Sequence, residues 1–412
     1  MDPKFKRLKY ACYSSNVSMS VAGNLSPILF LTFKEMYGIS YSLLGLLILV
    51  NFVTQLGIDL VFSFFSHRFN IPKTVKTMPI ITIAGLLIYA LWPFVFPNSV
   101  YLGLLIGTVV FSVSAGLGEV LISPVIAAIP AKEPEHEMSK LHSIYAWGVV
   151  FVMVLSTLFL LAFGSENWQY LALLFALVPL ASAILFAGAD IPKMKTPEKA
   201  AGAVKFLKNK TLWLCVVAIF LGGASELVMA QWSSGYLERA LGIPKVWGDI
   251  FGVALFAAML GLGRTLYSKI GKNIYRVLTL GALGAAVCYV TAAVTNVAVI
   301  GLLACAFTGF CVSMLWPGSL VVASDRFQSG GVFIFAMMAA GGDLGASVVP
   351  QLVGIVTDAA GASPAMAKLA ASLSLAPDQL GMKLGLLIGA LFPLAAVFVL
   401  LRLNKTRNKK AS

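Results

Sequence analysis

Apolar segments recur along almost the whole chain, from Tyr10 to Arg402, and only short polar connections separate them. A helix that crosses the hydrocarbon core of a bilayer needs about 20 mostly apolar residues. The 412 residues therefore accommodate roughly twelve such helices and leave no length for a separate soluble catalytic domain. The spacing of these segments predicts an all-α integral membrane protein.

The balance of residue types agrees with that fold class. Hydrophobic residues make up 59% of the chain and charged residues only 11%, whereas about 25% charged residues is usual in soluble domains. The net charge of +13 does not indicate nucleic-acid binding, because the cations lie in short connections between apolar segments rather than in a basic stripe.

The predicted transmembrane helices, numbered 1 to 12, span 8–33, 42–66, 75–96, 100–130, 140–163, 169–189, 211–237, 248–268, 274–295, 297–323, 331–357 and 382–402. An even number places both termini on one side of the membrane. Most lysines and arginines lie on that side, which predicts that it is cytoplasmic. The exceptions are Lys34, Arg239, Lys245, Lys368 and Lys383 in external connections, and Arg264 within a helix. We expect a multi-pass protein of the plasma membrane, which is the inner membrane in a bacterium.

The longest cytoplasmic connection, 190–210, is rich in lysine and divides the chain into six-helix bundles at 1–189 and 211–412. This connection is either an amphipathic segment on the anionic inner leaflet or a solvated linker. The external connection 358–381 is predicted to be a loop, because it is rich in alanine, serine and proline.

The two halves echo each other in predicted helices 4 and 10. Gly116 precedes Pro124 by eight residues, and Gly309 precedes Pro317 by the same spacing. Repetition across a central connection is typical of secondary transporters that bind substrate between two bundles.

Five ionisable residues well inside the predicted helices are the strongest functional signal, and they are Asp59, Glu119, Glu226, Arg264 and Asp343. A charged group at the bilayer centre costs about 2.5–3.5 kcal/mol on insertion scales. We therefore expect these side chains to face the protein interior or a water-filled path.

Glu119 is the first candidate for proton coupling. It shares one face of predicted helix 4 with Ser112, Gly116 and Ser123, at spacings of three and four residues. An acid in such a polar stripe can bind and release a proton during transport. The alternative is a carboxyl group that hydrogen-bonds between helices for packing.

Glu226 and Asp343 are the next candidates for proton coupling. Glu226 precedes Gln231 and Trp232, which suit a polar organic ligand because a ring stacks on its apolar face and an amide binds hydroxyls. Asp343 is spaced by fours from Ser347 and Gln351, although the glycines around it also favour close helix packing.

Further candidates complete the predicted site. Asp59 and Arg264 are predicted to act in gating, either as a conformational latch or through substrate contact. The predicted substrate surface comprises Asn24 on the polar face of helix 1, Tyr145 near the start of helix 5, Gln231, Trp232, Trp316 and Gln351.

The arrangement of six plus six helices, with polar faces on helices 1, 4, 7 and 10, resembles the major facilitator superfamily. That superfamily carries the signature Gly-x-Leu-Ala-Asp-Arg-x-Gly-Arg-Arg between helices 2 and 3. The corresponding stretch here departs from it, with His67 for the Asp and Asn70 for the Gly. Any gating that depends on that Asp would need a substitute such as Asp59.

Within the superfamily the chain is similar to the fucose permease-like proton symporters. The similarity lies in Glu119 five residues before Pro124, the runs 223–226 and 263–264, and the stretch 309–317. In that group a helix 4 glutamate is implicated in proton coupling, which the resemblance carries to Glu119. The partner aspartate of helix 1 is absent, because the region reads Ala-Gly-Asn-Leu-Ser-Pro at 22–27.

Together these features predict a proton-coupled symporter for a small polar solute such as a sugar, which works as a monomer by rocking of two bundles. The alternative is a uniporter or exporter whose acids are structural. A membrane enzyme is disfavoured, because the acids are dispersed over several helices. No cofactor is expected, and Cys12, Cys215, Cys288, Cys305 and Cys311 lie in apolar segments without metal-ligand spacing.

Overall fold

The computed structural model describes residues 5–39, 41–192, 194, 205–244 and 247–408. Within these ranges the chain is helical and contains no strand. The principal α-helices are α1 (Lys6–Ile28), α2 (Phe30–Tyr37), α3 (Tyr41–Phe65), α4 (Ile71–Val95), α5 (Val100–Ala128), α6 (Pro134–Phe163), α7 (Trp168–Phe175), α8 (Leu177–Ala187), α9 (Lys210–Leu241), α10 (Leu255–Ile270), α11 (Ile274–Val294), α12 (Ala298–Val312), α13 (Leu315–Arg326), α14 (Gly331–Ala362), α15 (Pro364–Ser372) and α16 (Pro377–Asn408).

Eleven segments in the described part of the chain are long and apolar enough to cross a membrane, judged by length and composition. The helix α1 is not among them, because serines and asparagines occupy much of its length. Several of its polar side chains are buried against the protein, including Asn16 and Ser20. The predicted all-α membrane fold is confirmed, and α1 is its most polar helix.

Two compact units make up the chain. The first takes residues 1–206 together with 327–340, and the second takes 207–326 and 341–412. The first ten residues of α14 therefore belong to the first unit, which the simple division into halves did not anticipate. The predicted connection 190–210 falls largely outside the described residues, so its form stays a prediction.

Aromatic side chains form the core of the first unit. Trp168 is fully buried, its ring lies 4.9 Å from that of Phe33, and its Nε1 donates to the Tyr37 hydroxyl at 3.1 Å. The indole therefore buries its apolar face and still satisfies its polar group. Close by, α4 and α5 meet at Gly85, where a Cβ atom would lie 2.6 Å from the Phe111 nitrogen.

Three predicted helices are interrupted, and one of them, predicted helix 6, breaks at Ala176 between α7 and α8. Predicted helix 1 breaks at Leu29, just after Pro27, and predicted helix 10 breaks between α12 and α13, just before Pro317. Proline has no backbone N–H, so it removes a helical hydrogen bond and weakens the preceding turn, which accounts for the break ahead of Pro317. Predicted helix 8 begins with a π-helical stretch, Gly248–Ala254, ahead of α10.

The predicted external loop 358–381 is largely helical, so that prediction was wrong. The helix α14 continues to Ala362, and α15 follows at once. The Ser363 side chain accepts from the Met366 N–H at 3.5 Å, and Pro364 opens the helix. A serine N-cap followed by proline starts helices well, and the alanines that follow have the highest helix propensity.

Candidate functional site

Two buried charged residues of the second unit form an ion pair. Glu226 on α9 accepts from Arg264 on α10, whose Nη2 lies 3.1 Å from Oε1 and 2.9 Å from Oε2. Both residues are buried, at 8% and 2% exposure. Each charge therefore meets an opposite charge inside its own unit, which offsets part of the cost of removing it from water.

A proline explains the second interaction of Arg264, a hydrogen bond to a backbone carbonyl. Its Nε donates to the Ser313 carbonyl at 2.8 Å. In a regular helix that carbonyl would accept from residue 317, but Pro317 has no N–H to donate. The interruption between α12 and α13 thus supplies a free carbonyl, and the guanidinium of Arg264 uses it.

Glycine allows this close approach of α10 to the interrupted helix. A Cβ atom on Gly263 would lie 2.7 Å from the Ser313 Cβ, so any larger residue would force the two helices apart. Gly263 directly precedes Arg264. Its small size lets α10 come close enough for the Arg264 guanidinium to reach the Ser313 carbonyl.

Trp316 lies where α9 and α14 meet α13. A Cβ atom on Gly223 would lie 3.0 Å from its ring, and one on Gly342 would overlap the ring. The indole is half-buried, so part of it remains open for contact with a ligand. The predicted substrate residue Trp316 thus packs against Gly342, the residue that precedes Asp343.

Asp343 itself is buried, at 6% exposure. Ser347, predicted to share its polar stripe, turns its hydroxyl back to the Asp343 carbonyl at 2.7 Å. Gln351, one turn further along α14, is exposed.

The two neighbouring side chains of predicted helix 7 have different environments. Gln231 is exposed. Trp232 donates through Nε1 to the Pro350 carbonyl at 3.1 Å, and a Cβ atom on Gly354 would lie 2.9 Å from its ring. Much of the Trp232 side chain is therefore used for packing between α9 and α14.

In the first unit, Glu119 is half-buried on α5. The predicted polar stripe around it is used partly for helix packing. A Cβ atom on Gly116 would lie 3.0 Å from the backbone of Gln55 on α3, and Ser123 Oγ lies 3.4 Å from His142 Nε2 on α6. Glu119 is the most exposed of the four predicted acids inside the helices.

Asn24 and Tyr145 lie close together between α1 and α6. Asn24 donates to the Ser20 carbonyl at 2.8 Å, and Ser20 Oγ donates to the Tyr145 carbonyl at 2.8 Å. A Cβ atom on Gly23 would be 3.7 Å from the Tyr145 hydroxyl. Two predicted substrate residues thus come from neighbouring elements of one unit.

Two polar residues of α3 to which the sequence assigned no role, Asn51 and Gln55, lie in a row with Asp59. Asn51 donates to the Ala22 carbonyl at 3.1 Å and accepts from Gln55, and Asp59 is fully buried further along the helix. Asn51, Gln55 and Asp59 are spaced by fours, so the helical period places them on one face. That spacing could have identified the row.

An ion pair between α1 and α6 was also missed. Lys9 Nζ lies 2.7 Å from Glu137 Oε1, and the Tyr13 hydroxyl donates to Glu137 Oε2 at 3.4 Å. Glu137 precedes the start of predicted helix 5, so no periodic pattern linked it to helix 1. Across the described residues, no group of three or more His, Cys, Asp or Glu side chains could hold a metal ion.

Comparison with known proteins identifies the family. The profile of the major facilitator superfamily matches residues 11–350, which is most of the chain. No curated protein matches the sequence.

Several solved structures share the fold. The E. coli fucose:proton symporter FucP has a TM-score of 0.70 at 13% identity, over 95% of this chain and 99% of that one. The proton:xylose symporter XylE bound to 6-bromo-6-deoxy-D-glucose has a TM-score of 0.74 at 13% identity, over 96% of each chain. The family profile and these structural matches confirm the resemblance drawn from the sequence: the chain is a member of the major facilitator superfamily.

Proposed function

We propose that this transporter is a proton-coupled symporter for a small polar organic solute such as a sugar, acting in the plasma membrane with both termini cytoplasmic. The observation that carries the proposal is the set of carboxylates within membrane-crossing helices, three of them buried and Glu119 half-buried. Burying an acid in apolar helices is costly, and proton binding is a function that justifies the cost. The fucose:proton and proton:xylose symporters of the same fold lend support.

Glu119 is the first choice for the proton-carrying residue. Its partial exposure lets water deliver and remove a proton, whereas Glu226 would lose its ion pair with Arg264 on protonation. Breaking a buried pair is unfavourable because the remaining charge is left in a low dielectric. Glu226 and Asp343 therefore follow Glu119 in our ranking.

The solute surface is proposed to include Asn24, Tyr145, Gln231, Trp232, Trp316 and Gln351. Of these, Trp316 offers a half-buried ring, and Asn24 and Tyr145 offer an amide and a hydroxyl on the neighbouring helices α1 and α6. Rings stack on apolar sugar faces while amides and hydroxyls bind sugar hydroxyls. Asp59 and Arg264 are proposed to act in gating.

The coupling is tested with purified protein in liposomes loaded with a pH-sensitive dye. Addition of L-fucose, D-xylose or another monosaccharide from a panel should acidify the lumen when that sugar is a substrate. Glu119→Gln should abolish the acidification, whereas Glu238→Gln, at an exposed acid of α9, should retain it. Acidification by the Glu119→Gln protein at the wild-type rate would remove Glu119 from the mechanism.

A uniporter or exporter with structural acids is the second candidate function. The observation that favours it is the Glu226–Arg264 ion pair, which joins one predicted proton carrier on α9 to an arginine on α10. Solute uptake that is unchanged by a protonophore would support this candidate over the symporter.

A further inference from the structure

Two cysteines meet where α11 packs against α12. Gly281 and Gly284 form a notch on α11 in which Cys311 of α12 sits, and a Cβ atom on Gly284 would lie 2.8 Å from the Cys311 sulfur. Cys288 is one turn beyond Gly284 and faces the same way. The notch therefore brings Cys311 to the face of α11 that carries Cys288.

The two thiols are neighbours. The Cys288 thiol interacts with the Cys311 thiol and with the Thr308 side chain. Thr308 itself donates to the Ala304 carbonyl at 2.8 Å, which holds its hydroxyl in place. Two thiols from neighbouring helices are thus brought together without any covalent bond, since all five cysteines are free.

Accessibility distinguishes this pair from the other cysteines. Cys12, Cys215 and Cys305 are buried to 1% exposure or less, whereas Cys288 and Cys311 are half-buried. The adjacent apolar side chains Val287 and Phe310 are exposed, as expected for helix surfaces that contact lipid. A neutral, lipid-soluble reagent can therefore approach this pair from the bilayer.

We propose that Cys288 and Cys311 form a dithiol site for a neutral trivalent organoarsenical. With phenylarsine oxide, both thiol protons and the arsenic-bound oxygen leave as one water molecule, and two As–S bonds form. Arsenic stays trivalent, so no oxidant or reductant is needed. The product carries no charge, which suits its low-dielectric surroundings.

The number of sulfur ligands fits this chemistry. Trivalent arsenic takes three substituents, and the phenyl group supplies one while the thiols supply two. Zinc would need four ligands, and the described residues contain no cluster of three or more such side chains. The second thiol binds intramolecularly, which strengthens a two-point attachment by about 10²–10⁴-fold over one-point attachment.

The test uses the full-length protein in detergent, titrated with phenylarsine oxide and examined by intact-mass spectrometry. We expect one phenylarsenic group per chain, resistant to 2-mercaptoethanol and released by 2,3-dimercaptopropanol. Cys288→Ala and Cys311→Ala should each weaken binding at least about a hundredfold. Cys215→Ala is the matched control and should bind as the wild type does.

Release of the wild-type adduct by 2-mercaptoethanol, or full binding by Cys288→Ala, would overturn the proposal. Cys311 fills a glycine notch, so its variant is checked by gel filtration. If that variant does not fold, Cys288→Ala decides, because the Cys288 side chain is half-buried. The measurement requires no transport, so its result is independent of the proposed symport.

Discussion

Arg264 shows how a single charged residue can be accommodated among apolar helices. Its guanidinium contacts both carboxylate oxygens of Glu226 and the carbonyl of Ser313. Removing one partner of a buried ion pair typically costs about 3–5 kcal/mol, because the other charge is left without compensation. Replacing both partners together costs less.

We therefore predict that Glu226→Gln and Arg264→Gln each lower the melting temperature of the detergent-solubilised protein. The double variant should melt well above the temperature expected from adding the two losses, since the residues are in contact. Glu238→Gln, at an exposed acid of the same helix, is the control and should melt as the wild type does. If the losses in melting temperature were additive, the interaction between Glu226 and Arg264 would contribute nothing to stability.

The sequence predicted some of these residues better than others. The cost of a charge in hydrocarbon was enough to select Glu226, Arg264 and Asp343. The partnership of Glu226 and Arg264 could not be predicted, because it depends on which faces of α9 and α10 meet. The hydrogen bond from Arg264 to the Ser313 carbonyl could not be predicted either, because that carbonyl is available only where Pro317 interrupts the helix.

At the scale of elements, glycines determine how closely the helices approach. Gly342 on α14 faces the Trp316 ring, and a Cβ atom there would overlap it. Overpacking a close contact of this kind costs about 1–3 kcal/mol. We predict that Gly342→Ala lowers the melting temperature and that it does so less in a Trp316→Ala background than in the wild type.

Gly57 provides the matched control for that substitution. A Cβ atom on Gly57 of α3 meets nothing within 4 Å, so Gly57→Ala should be neutral or stabilise by up to about 1 kcal/mol through helix propensity. Equal effects of the two alanines on the melting temperature would contradict the contact between Gly342 and Trp316.

The interruption between α12 and α13 is a second element-level feature with a measurable consequence. Pro317→Ala restores an N–H that can donate to the Ser313 carbonyl and so competes with Arg264. We predict that Arg264→Gln lowers the melting temperature less in the Pro317→Ala background than in the wild type. Pro393→Ala, inside α16, is the control background, where the full loss should persist. An equal loss in both backgrounds would show that the proline does not matter for Arg264.

Sequence patterns predicted the kind of each element more reliably than its ends. Long apolar runs identified the membrane-crossing helices because hydropathy depends on composition alone. The break at Leu29 and the helix α15 depend instead on local backbone hydrogen bonding near Pro27 and Ser363. An alanine-rich connection is compatible with a loop or a helix, and here the cap at Ser363 favours the helix.

At the scale of the whole molecule, the chain places several acids inside a fold that it shares with proton symporters. The fold follows from the family profile and the structural matches. The coupling to protons is our proposal, and it depends on Glu119, the most exposed of the intramembrane acids. A proton carrier must be reachable by water, and the other three acids are less exposed than Glu119.

The most direct measurement is uphill accumulation of a radiolabelled sugar in liposomes with an imposed inward proton gradient. The sugar is one whose addition acidifies the lumen in the dye assay. The account predicts that wild-type protein concentrates the sugar and that a protonophore abolishes the concentration. The Glu119→Gln protein should exchange labelled for unlabelled sugar but accumulate none. Accumulation that persists in the presence of the protonophore, or in the Glu119→Gln protein, would contradict it.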